Sequence, residues 1–335
     1  MKTNIVTLGA PAKVNLTLEV LGRRPDGYHE LRSVLMPVGL FDTIRLEEIP
    51  DGNVEIEMDA EGVDISAMRG ENVALRAARL FQARMGISKG ARIRVVKRIP
   101  LGGGLGGGSA DAAGVLNGLQ KLWGVRLKRP ELLAMAAELG SDVPAMALGG
   151  AVMMTGRGEN VRRIRVPPGR GMWMVIANDG THCATAEVYR MFDQAGAPDQ
   201  TGPSDRADPS KKKFLTRRPD LSHTLALPVR GGDVRSVAAA LYNGLQGVVF
   251  ARYPSVAALA ERLAAAGGEG VLLSGSGASV FALVRCGRHG EEVQKRLGNR
   301  VWSVLVQTLP DGVMAAHGPL EARAMVRVHV GQPST

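Results

Sequence analysis

A glycine-rich junction between a strand pattern and a helix pattern constrains the fold of this chain more than any other segment. Residues 100–110, the glycine loop, read PLGGGLGGGSA and contain six glycines. Before them, Ile93 and Val95 alternate with Arg92 and Arg94, which predicts a half-buried strand. Ordered glycine costs roughly 0.5–1 kcal/mol relative to alanine, so a loop that only connects two elements has little need of six. The junction therefore predicts a functional loop, with a purely structural turn as the alternative.

The segment after the glycines predicts an amphipathic helix that begins in a favourable place for an anion. We expect this helix to begin at Ser109, a good N-cap residue, with Asp111 in its first turn. Its core-facing residues recur at helical spacing: Ala112, Val115, Leu116, Leu119 and Trp123. Glycines let the backbone approach a phosphate closely, and the N–H groups at a helix start carry partial positive charge. Loop and helix together predict a phosphate-binding site.

Two familiar nucleotide-binding loops do not fit this context. Residues 102–107 satisfy the dinucleotide fingerprint G-x-G-x-x-G literally. That fingerprint requires a second strand that ends in an acidic residue about 20 positions later, whereas residues 130–140 predict another helix. A Walker loop is excluded because no Gly-Lys-Ser/Thr follows the glycines. A different class of phosphate-binding loop remains.

Three blocks in chain order resemble motifs of the GHMP kinases, small-molecule kinases named for galactose, homoserine, mevalonate and phosphomevalonate. They are residues 10–16 (APAKVNL), 100–110 and 273–281 (LSGSGASVF). The resemblance implies that the chain binds ATP with Mg²⁺ and that Ser109 contacts the metal. The implied ATP contacts are Asn72, Pro100, Leu101, Gly102, Gly103, Gly104, Leu105, Gly106, Gly107, Gly108, Ser109 and Ala110. Asn72 is explained equally well as a polar helix N-cap.

The resemblance also implies an α+β fold with two domains and an active site between them. Residues 1–166 are then an ATP-binding domain like domain 2 of ribosomal protein S5, residues 167–310 a ferredoxin-like domain, and residues 311–335 a C-terminal extension. The hydrophobic pattern agrees with this class. It predicts strands near 3–20, 33–48, 53–59, 91–99, 151–166, 172–178, 271–274 and 279–285, and helices near 71–86, 109–123, 130–139, 185–194, 233–251, 255–266 and 289–298.

Phosphoryl transfer to an alcohol needs a group that accepts the hydroxyl proton and positive charge near the phosphoryl group. Asp142 follows Gly140 at a predicted helix end before Pro144, so its carboxylate projects from a turn. Such an Asp is usually an ordinary turn residue, but the resemblance implies that Asp142 is the general base with Lys13 beside it. Lys13 stands in an apolar run, which favours an electrostatic role over an ordinary solvated charge.

A second set of residues concerns the substrate. Tyr28 and His29 follow a Pro-Asp-Gly turn in a chain with only 4% aromatic residues, although Tyr28 could equally cover an edge of the core. Residues 24–29 (RPDGYH) and 139–144 (LGSDVP) resemble family members that phosphorylate a cytidyl diphosphate alcohol in non-mevalonate isoprenoid synthesis. The resemblance implies that Tyr28 stacks on cytosine and that His29 hydrogen-bonds to it. The implied substrate contacts are Asn15, Tyr28, His29 and Thr185.

Charge and composition favour an enzyme that acts on anionic small molecules. The 335 residues carry a net charge of +10, and a positive field attracts both ATP and a diphosphate alcohol. Residues 211–218 (KKKFLTRR), within a polar segment at 196–222, are also compatible with RNA binding. The chain has no zinc-finger or RNA-recognition signature, and it has few aromatics on which bases could stack. We therefore expect no nucleic-acid partner.

The cysteine content, the length of the apolar runs and the N-terminal pattern indicate the cellular compartment. Two cysteines make neither a disulfide framework nor a metal-binding pattern, and no stretch approaches 18 uninterrupted apolar residues. The N-terminus does not have the pattern of a signal peptide. We expect a cytoplasmic enzyme without a membrane partner, and the sequence does not indicate its oligomeric state. Two alternatives stay open: another small-alcohol kinase of the same family, or a basic S5-like RNA-binding protein.

Overall fold

A seven-stranded sheet and a five-stranded sheet form the frame of the protein. The computed structural model describes residues 4–66, 71–167, 169–196, 225, 228–229, 231, 233–310 and 327–329. Helices accompany both sheets, which confirms the predicted α+β class. None of the helices in this part of the chain has the length and apolar composition of a membrane span.

The larger sheet is built on a long antiparallel hairpin of its first two strands. Its strands are β1 (Ile5–Arg23), β2 (His29–Ile49), β3 (Val54–Ala60), β4 (Gly90–Lys97), β5 (Val152–Gly156), β6 (Asn160–Arg163) and β8 (Tyr242–Asn243). They are ordered β3-β4-β2-β1-β8, while β5 pairs with both β2 and β6. Four helices lie between β3 and β5 in the chain: α1 (Val73–Met85), α2 (Gly107–Leu122), α3 (Arg129–Leu139) and α4 (Val143–Leu148). Register shifts in the β1–β2 pairing flank Lys13 and Asn15.

The smaller sheet is antiparallel throughout its described pairings. Its strands are β7 (Trp173–Asn178), β9 (Glu269–Leu273), β10 (Val280–Val284), β11 (Trp302–Gln307) and β12 (Arg327–His329), in the order β12-β11-β7-β10-β9. The helices in this half are α5 (Thr185–Gln194), α6 (Val234–Ala240), α7 (Gln246–Arg252), α8 (Pro254–Ala265) and α9 (Gly287–Leu297). The strand–turn–strand predicted at 271–285 is confirmed as β9 and β10.

Helix α2 lies flat on the larger sheet because small residues face it. A Cβ atom added to Gly114 would lie 2.4 Å from Ile44 Cδ1, and one added to Gly118 would lie 2.4 Å from Leu46 Cδ1. The predicted core stripe is confirmed, since Ala112, Val115, Leu116 and Leu119 are fully buried and Trp123 packs against the same cluster. This close packing fixes the start of α2, and with it the glycine loop, against β1 and β2.

The predicted start of α2 was wrong by two residues. The helix begins at Gly107, and Gly106 occupies the N-cap position with a left-handed φ of 69° and no side chain to cap the helix. Ser109 lies inside the first turn instead. Asp111 is buried and contacts the ammonium group of Lys97, rather than standing at an exposed helix start. The left-handed conformation of Gly106 ends the loop and starts the helix before Ser109, although serine is a preferred N-cap residue.

The helix predicted across residues 233–251 is interrupted. Helix α6 ends at Ala240, β8 pairs in parallel with Thr17 and Leu18 of β1, and α7 begins only at Gln246. Asn243 explains the break, because its side-chain amide donates to the backbone carbonyls of Leu273 and Gly275. These tertiary hydrogen bonds outweigh the local helical pattern.

A second predicted element is also divided. The strand expected near 151–166 is a hairpin of β5 and β6 that turns at residues 157–159. Gly156 has a φ of 76°, a left-handed conformation that favours glycine and allows the tight turn. The basic segment at 196–222 lies outside the described residues except for Gly196, and the extension at 311–335 does so except for β12.

The buried amide of Asn243 predicts a measurable stability effect. Asn243→Ala leaves two buried carbonyls and the Leu245 N–H without their partner. Because each such group costs about 1–3 kcal/mol, we expect the free energy of unfolding to fall by at least about 2 kcal/mol. The measurement is urea unfolding, with Asn160→Ala on the exposed face of β6 as a control that shifts the midpoint little. Equal midpoints for the two variants would contradict the assignment.

Candidate active site

One cavity of about 1030 Å³ lies where the glycine loop, β1, the residues just before α4, and α5 meet. Most of the residues predicted from the sequence to form a site line it: Lys13, Asn15, Tyr28, His29, Asp142, Thr185 and every residue from Pro100 to Ser109. Ala110 is buried behind the loop, and the lining includes Val73 rather than its neighbour Asn72. The structure thus brings together segments that are far apart in the sequence.

The glycine loop has the backbone form of an anion-binding site. Gly102, Gly104 and Gly106 have φ angles of 62°, 69° and 69°, which other residues rarely adopt. Helix α2 starts directly after them without a side-chain cap, and Gly107 and Ser109 in its first turn line the cavity. N–H groups at a helix start are ready ligands for phosphate.

Direct backbone contact joins the glycine loop to the turn between β9 and β10, residues 274–279. The N–H of Ser279 donates to the carbonyl of Gly103 at 3.1 Å, and the Ser274 hydroxyl donates to the carbonyl of Gly104 at 3.1 Å. A Cβ atom on Gly104 would lie 1.9 Å from the carbonyl oxygen of Ser274. The loop and the turn can therefore meet only because this position has no side chain.

Lys13 lies at the centre of the polar groups on the cavity floor. Its backbone N–H donates to the carbonyl of Leu105 at 2.9 Å, and its Nζ donates to Asn15 Oδ1 at 2.6 Å. The same Nζ lies 3.3 Å from Asp142 Oδ2, with the lysine side chain 4% exposed and the aspartate 26% exposed. Asp142 stands at the first position before α4, but its carboxylate does not cap that helix. The carboxylate is therefore available to the cavity beside a buried cation.

At the other end of the cavity, helix α5 holds His29. The Nε2 atom of His29 lies 2.7 Å from Asp193 Oδ1, and its ring stacks on Tyr189 with centroids 4.7 Å apart. Phe192 contacts the same ring edge-on at 6.4 Å. Burial raises the pKa of the Tyr189 hydroxyl, and the charge of Asp142 adds to this effect. His29 is consequently fixed by three side chains of one helix, none of which the sequence analysis identified.

Tyr28 is presented differently from its neighbour. The residue is 50% exposed, and the guanidinium of Arg157 lies 5.0 Å from the ring centroid. Arg157 comes from the turn between β5 and β6, and it also lines the cavity. This arrangement supports one face of the ring by a cation–π contact and leaves much of the tyrosine accessible. The alternative in which Tyr28 covers the core does not match its exposure.

Two predicted site residues have local structural partners. Asn72 caps α1, with its Oδ1 accepting from the N–H groups of Ala74 and Leu75. An adenine contact by Asn72 stays a prediction. The Thr185 hydroxyl lies 3.0 Å from the Ser276 hydroxyl, which ties the start of α5 to the turn at 274–279.

A buried charge cluster beneath the loop was not predicted from the sequence. Lys97 Nζ is 2.5 Å from Asp111 Oδ2 and also bonds to Asp42, and all three side chains are buried. A Cβ atom on Gly107 would lie 3.2 Å from this ammonium group. The alternation of β4 carried a usable signal, because Lys97 has the same parity as the buried Ile93.

Burial and charge act against each other in this cluster. Burial opposes the charge of Lys97, but the two carboxylates outweigh it and raise the Lys97 pKa. Burial, aided by the charge of Asp42, raises the pKa of Asp111 to about 7 despite the opposing effect of Lys97. One Asp111 oxygen has no hydrogen-bond partner among the described residues. The cluster thus keeps a buried cation close behind the start of α2.

Comparison with known proteins gives matches over both halves of the chain. Residues 72–150 match the family described as GHMP kinases N terminal domain, and residues 225–304 match GHMP kinases C terminal. A 4-diphosphocytidyl-2-C-methyl-D-erythritol kinase of Symbiobacterium thermophilum is 41% identical over 85% of this chain and 93% of its own length. The protein of the same name from Pelotomaculum thermopropionicum is 39% identical over 83% of this chain and 89% of its own length.

Solved structures agree with these relatives. A crystal structure of 4-(cytidine 5'-diphospho)-2C-methyl-D-erythritol kinase matches with a TM-score of 0.67 at 32% identity, covering 90% of this chain and 98% of that chain. A homoserine kinase from Cytophaga hutchinsonii matches with a TM-score of 0.66 at 16% identity, covering 92% of this chain and 96% of that chain. The second likeness concerns the fold alone.

Two glycines of the loop form a matched pair for testing its packing. Gly104→Ala places a Cβ against the Ser274 carbonyl at a left-handed φ, whereas Gly108→Ala adds a Cβ with no atom within 4 Å at the start of a helix. We expect Gly104→Ala to lower the free energy of unfolding by about 1–3 kcal/mol, and Gly108→Ala to leave it equal or raise it by up to about 1 kcal/mol. Thermal unfolding of both variants is the measurement. A Gly104→Ala protein as stable as Gly108→Ala would contradict the contact.

Proposed function

The chain belongs to the GHMP kinase family and is a small-molecule kinase, and from that premise we propose that it transfers the γ-phosphoryl group of ATP to the 2-hydroxyl of 4-diphosphocytidyl-2-C-methyl-D-erythritol. The relatives at 41% and 39% identity carry the name of this kinase, which supports the proposal. The observation that carries it is that one cavity contains the glycine loop, the Lys13–Asp142 pair and the Tyr28–His29 pair.

The glycine loop binds the phosphates of ATP in this proposal. Left-handed glycines and the uncapped start of α2 supply N–H donors, and the cavity is large enough for two nucleotide-sized ligands. Mg²⁺ fits as an ion held by ATP phosphates, water and the Ser109 hydroxyl, where it neutralises phosphate charge. The described residues contain no cluster of three or more His, Cys, Asp or Glu side chains that could bind a metal without the nucleotide.

Asp142 acts as the general base. Its carboxylate takes the proton of the 2-hydroxyl as the hydroxyl oxygen bonds to the γ-phosphorus, and the bond to the β-phosphate oxygen breaks to release ADP. Lys13, 3.3 Å from Asp142, holds the carboxylate in position and offers positive charge to the phosphoryl oxygens. Asn15 accepts from Lys13 and donates to Ser33 at 2.8 Å, so the ammonium group has a fixed location.

Tyr28 and His29 bind the cytosine end of the alcohol. The half-exposed Tyr28 ring offers a face for base stacking, and the held His29 ring offers a hydrogen-bonding edge. The net charge of +10 suits two anionic substrates. Kinase relatives over most of the chain argue against the RNA-binding alternative. Measuring ADP release with a panel of alcohols distinguishes the cytidyl alcohol from other small alcohols as the substrate. The cytoplasmic location stays a prediction.

Removing the proposed base should greatly slow phosphoryl transfer but hardly weaken the binding of ATP. Asp142→Asn keeps the shape of the side chain but cannot accept the proton, so we expect turnover to fall by roughly 10²–10⁴ while ATP still binds by calorimetry. Asp64→Asn, at an exposed turn that does not line the cavity, is the matched control, and its turnover should be unchanged. Near-normal turnover of Asp142→Asn would remove this residue from the mechanism.

The tyrosine tests the cytidyl substrate. Tyr28→Ala should weaken binding of the alcohol by about 1–3 kcal/mol, the range of base–aromatic stacking, and it should raise KM for the alcohol far more than KM for ATP. Tyr28→Phe keeps the ring face and should be mild. An unaltered KM in Tyr28→Ala would leave only the broader small-alcohol kinase.

A further inference from the structure

The contact between His29 and Asp193 determines which atoms of the histidine remain for a ligand. An ionised carboxylate can only accept hydrogen bonds, so the 2.7 Å contact requires that His29 Nε2 carries a proton. The described residues supply no hydrogen bond to the other ring nitrogen, Nδ1. His29 lines the cavity, although its side chain is only 9% exposed. One ring nitrogen is therefore occupied, and the other is free for the contents of the cavity.

The surroundings of His29 prevent the ring from turning over. Tyr189 stacks on one face at 4.7 Å and Phe192 packs edge-on, and both residues belong to α5 together with Asp193. Asp193 Oδ2 also lies 3.9 Å from Arg23 Nη1, so the carboxylate has a second, more distant cationic partner. A ring flip would place the carbon Cε1 instead of Nε2 opposite Asp193 and leave its carboxylate without the histidine donor. The helix thus fixes both the orientation of the ring and the location of one proton.

We propose that Asp193 is a positioning residue that sets base specificity by holding the Nε2 proton of His29, so that Nδ1 alone reads the base. This inference rests on the proposed function. Cytosine and uracil differ at position 4, where an amino group replaces a carbonyl, and at N3, which accepts in cytosine and donates in uracil. With the proton on Nε2 of the neutral imidazole, Nδ1 is a hydrogen-bond acceptor, which can accept from the 4-amino group of cytosine but not from the 4-carbonyl of uracil. A ring whose proton moves between its two nitrogens could pair with either group.

The test is the ratio of kcat/KM for the cytidyl alcohol to that for its uridyl analogue. Asp193→Asn keeps the shape, but an amide can donate as well as accept, so the Nε2 proton is no longer required. We expect the cytidyl-to-uridyl ratio to fall about tenfold or more, mainly through KM for the cytidyl alcohol and with kcat changed less than about twofold. Asp193→Glu retains a carboxylate and should recover part of the ratio. Glu187→Gln, on the same helix but not lining the cavity, is the matched control.

Two further measurements separate positioning from simple support of the fold. Nitrogen-15 NMR of the histidine side chains should show a protonated Nε2 for His29 in the wild type and a mixture of tautomers in Asp193→Asn. In a His29→Ala background, Asp193→Asn should not lower the ratio further, since the two residues act as a unit.

The outcomes distinguish the inference from the function on which it rests. A wild-type enzyme that fails to phosphorylate the cytidyl alcohol would overturn the proposed function. A wild type that is active on it, with an unchanged cytidyl-to-uridyl ratio in Asp193→Asn, would overturn the role of Asp193 alone. A loss of ratio that persists in the His29→Ala background would likewise show that Asp193 acts by another route.

Discussion

The site depends on a backbone-to-backbone contact between two glycine turns from different halves of the chain. The Gly103 and Gly104 carbonyls accept from the turn at 274–279, and no room exists for a Cβ at Gly104. The next residue, Leu105, accepts from the backbone of Lys13, which joins the same loop to β1. The loop is consequently held on both sides by main-chain hydrogen bonds, and its N–H groups keep a fixed geometry for an anion. Side-chain chemistry is then placed around a rigid backbone.

Two lysines lie close to neighbouring glycines of this loop. Lys13 Cγ is 2.8 Å from where a Cβ of Gly106 would be, and Lys97 Nζ is 3.2 Å from where a Cβ of Gly107 would be. Each ammonium group has a carboxylate partner: Asp142 on the cavity side, and the Asp42 and Asp111 pair below. Buried charges of this kind are stable only when compensated, so loss of one partner costs more than the pair contributes. Positive charge is thereby kept near the phosphate site without isolated ions.

The sequence predicted what depends on local pattern and missed what depends on tertiary contacts. The glycine loop, the core stripe of α2 and the strands around the turn at 274–279 follow from spacing alone. The break in the helix after Ala240 could not be predicted in this way. Asn243 hydrogen-bonds to carbonyls of β9 and of the turn after it, and not to residues of its own predicted helix.

The candidate site divides in the same way. Lys13 and Asp142 were expected together only through the resemblance, since no local rule joins a strand residue to a turn far along the chain. The Asp193 contact with His29 had no motif at all, because it arises where α5 meets the first residue of β2. Its consequence for the imidazole proton could be derived only after the structure gave the distance.

The two-residue strand β8 has a consequence for how the chain reaches this structure. It completes an edge of the larger sheet by pairing with Thr17 and Leu18, although it lies beyond β7 in the chain. During synthesis Thr17 and Leu18 therefore stay at an unpaired strand edge until residues 242–243 have emerged, and an unpaired edge is prone to aggregation. Loop-closure entropy makes such long-range pairing slow. The last strand of the larger sheet is thus added only after residues from the second half of the chain have been synthesised.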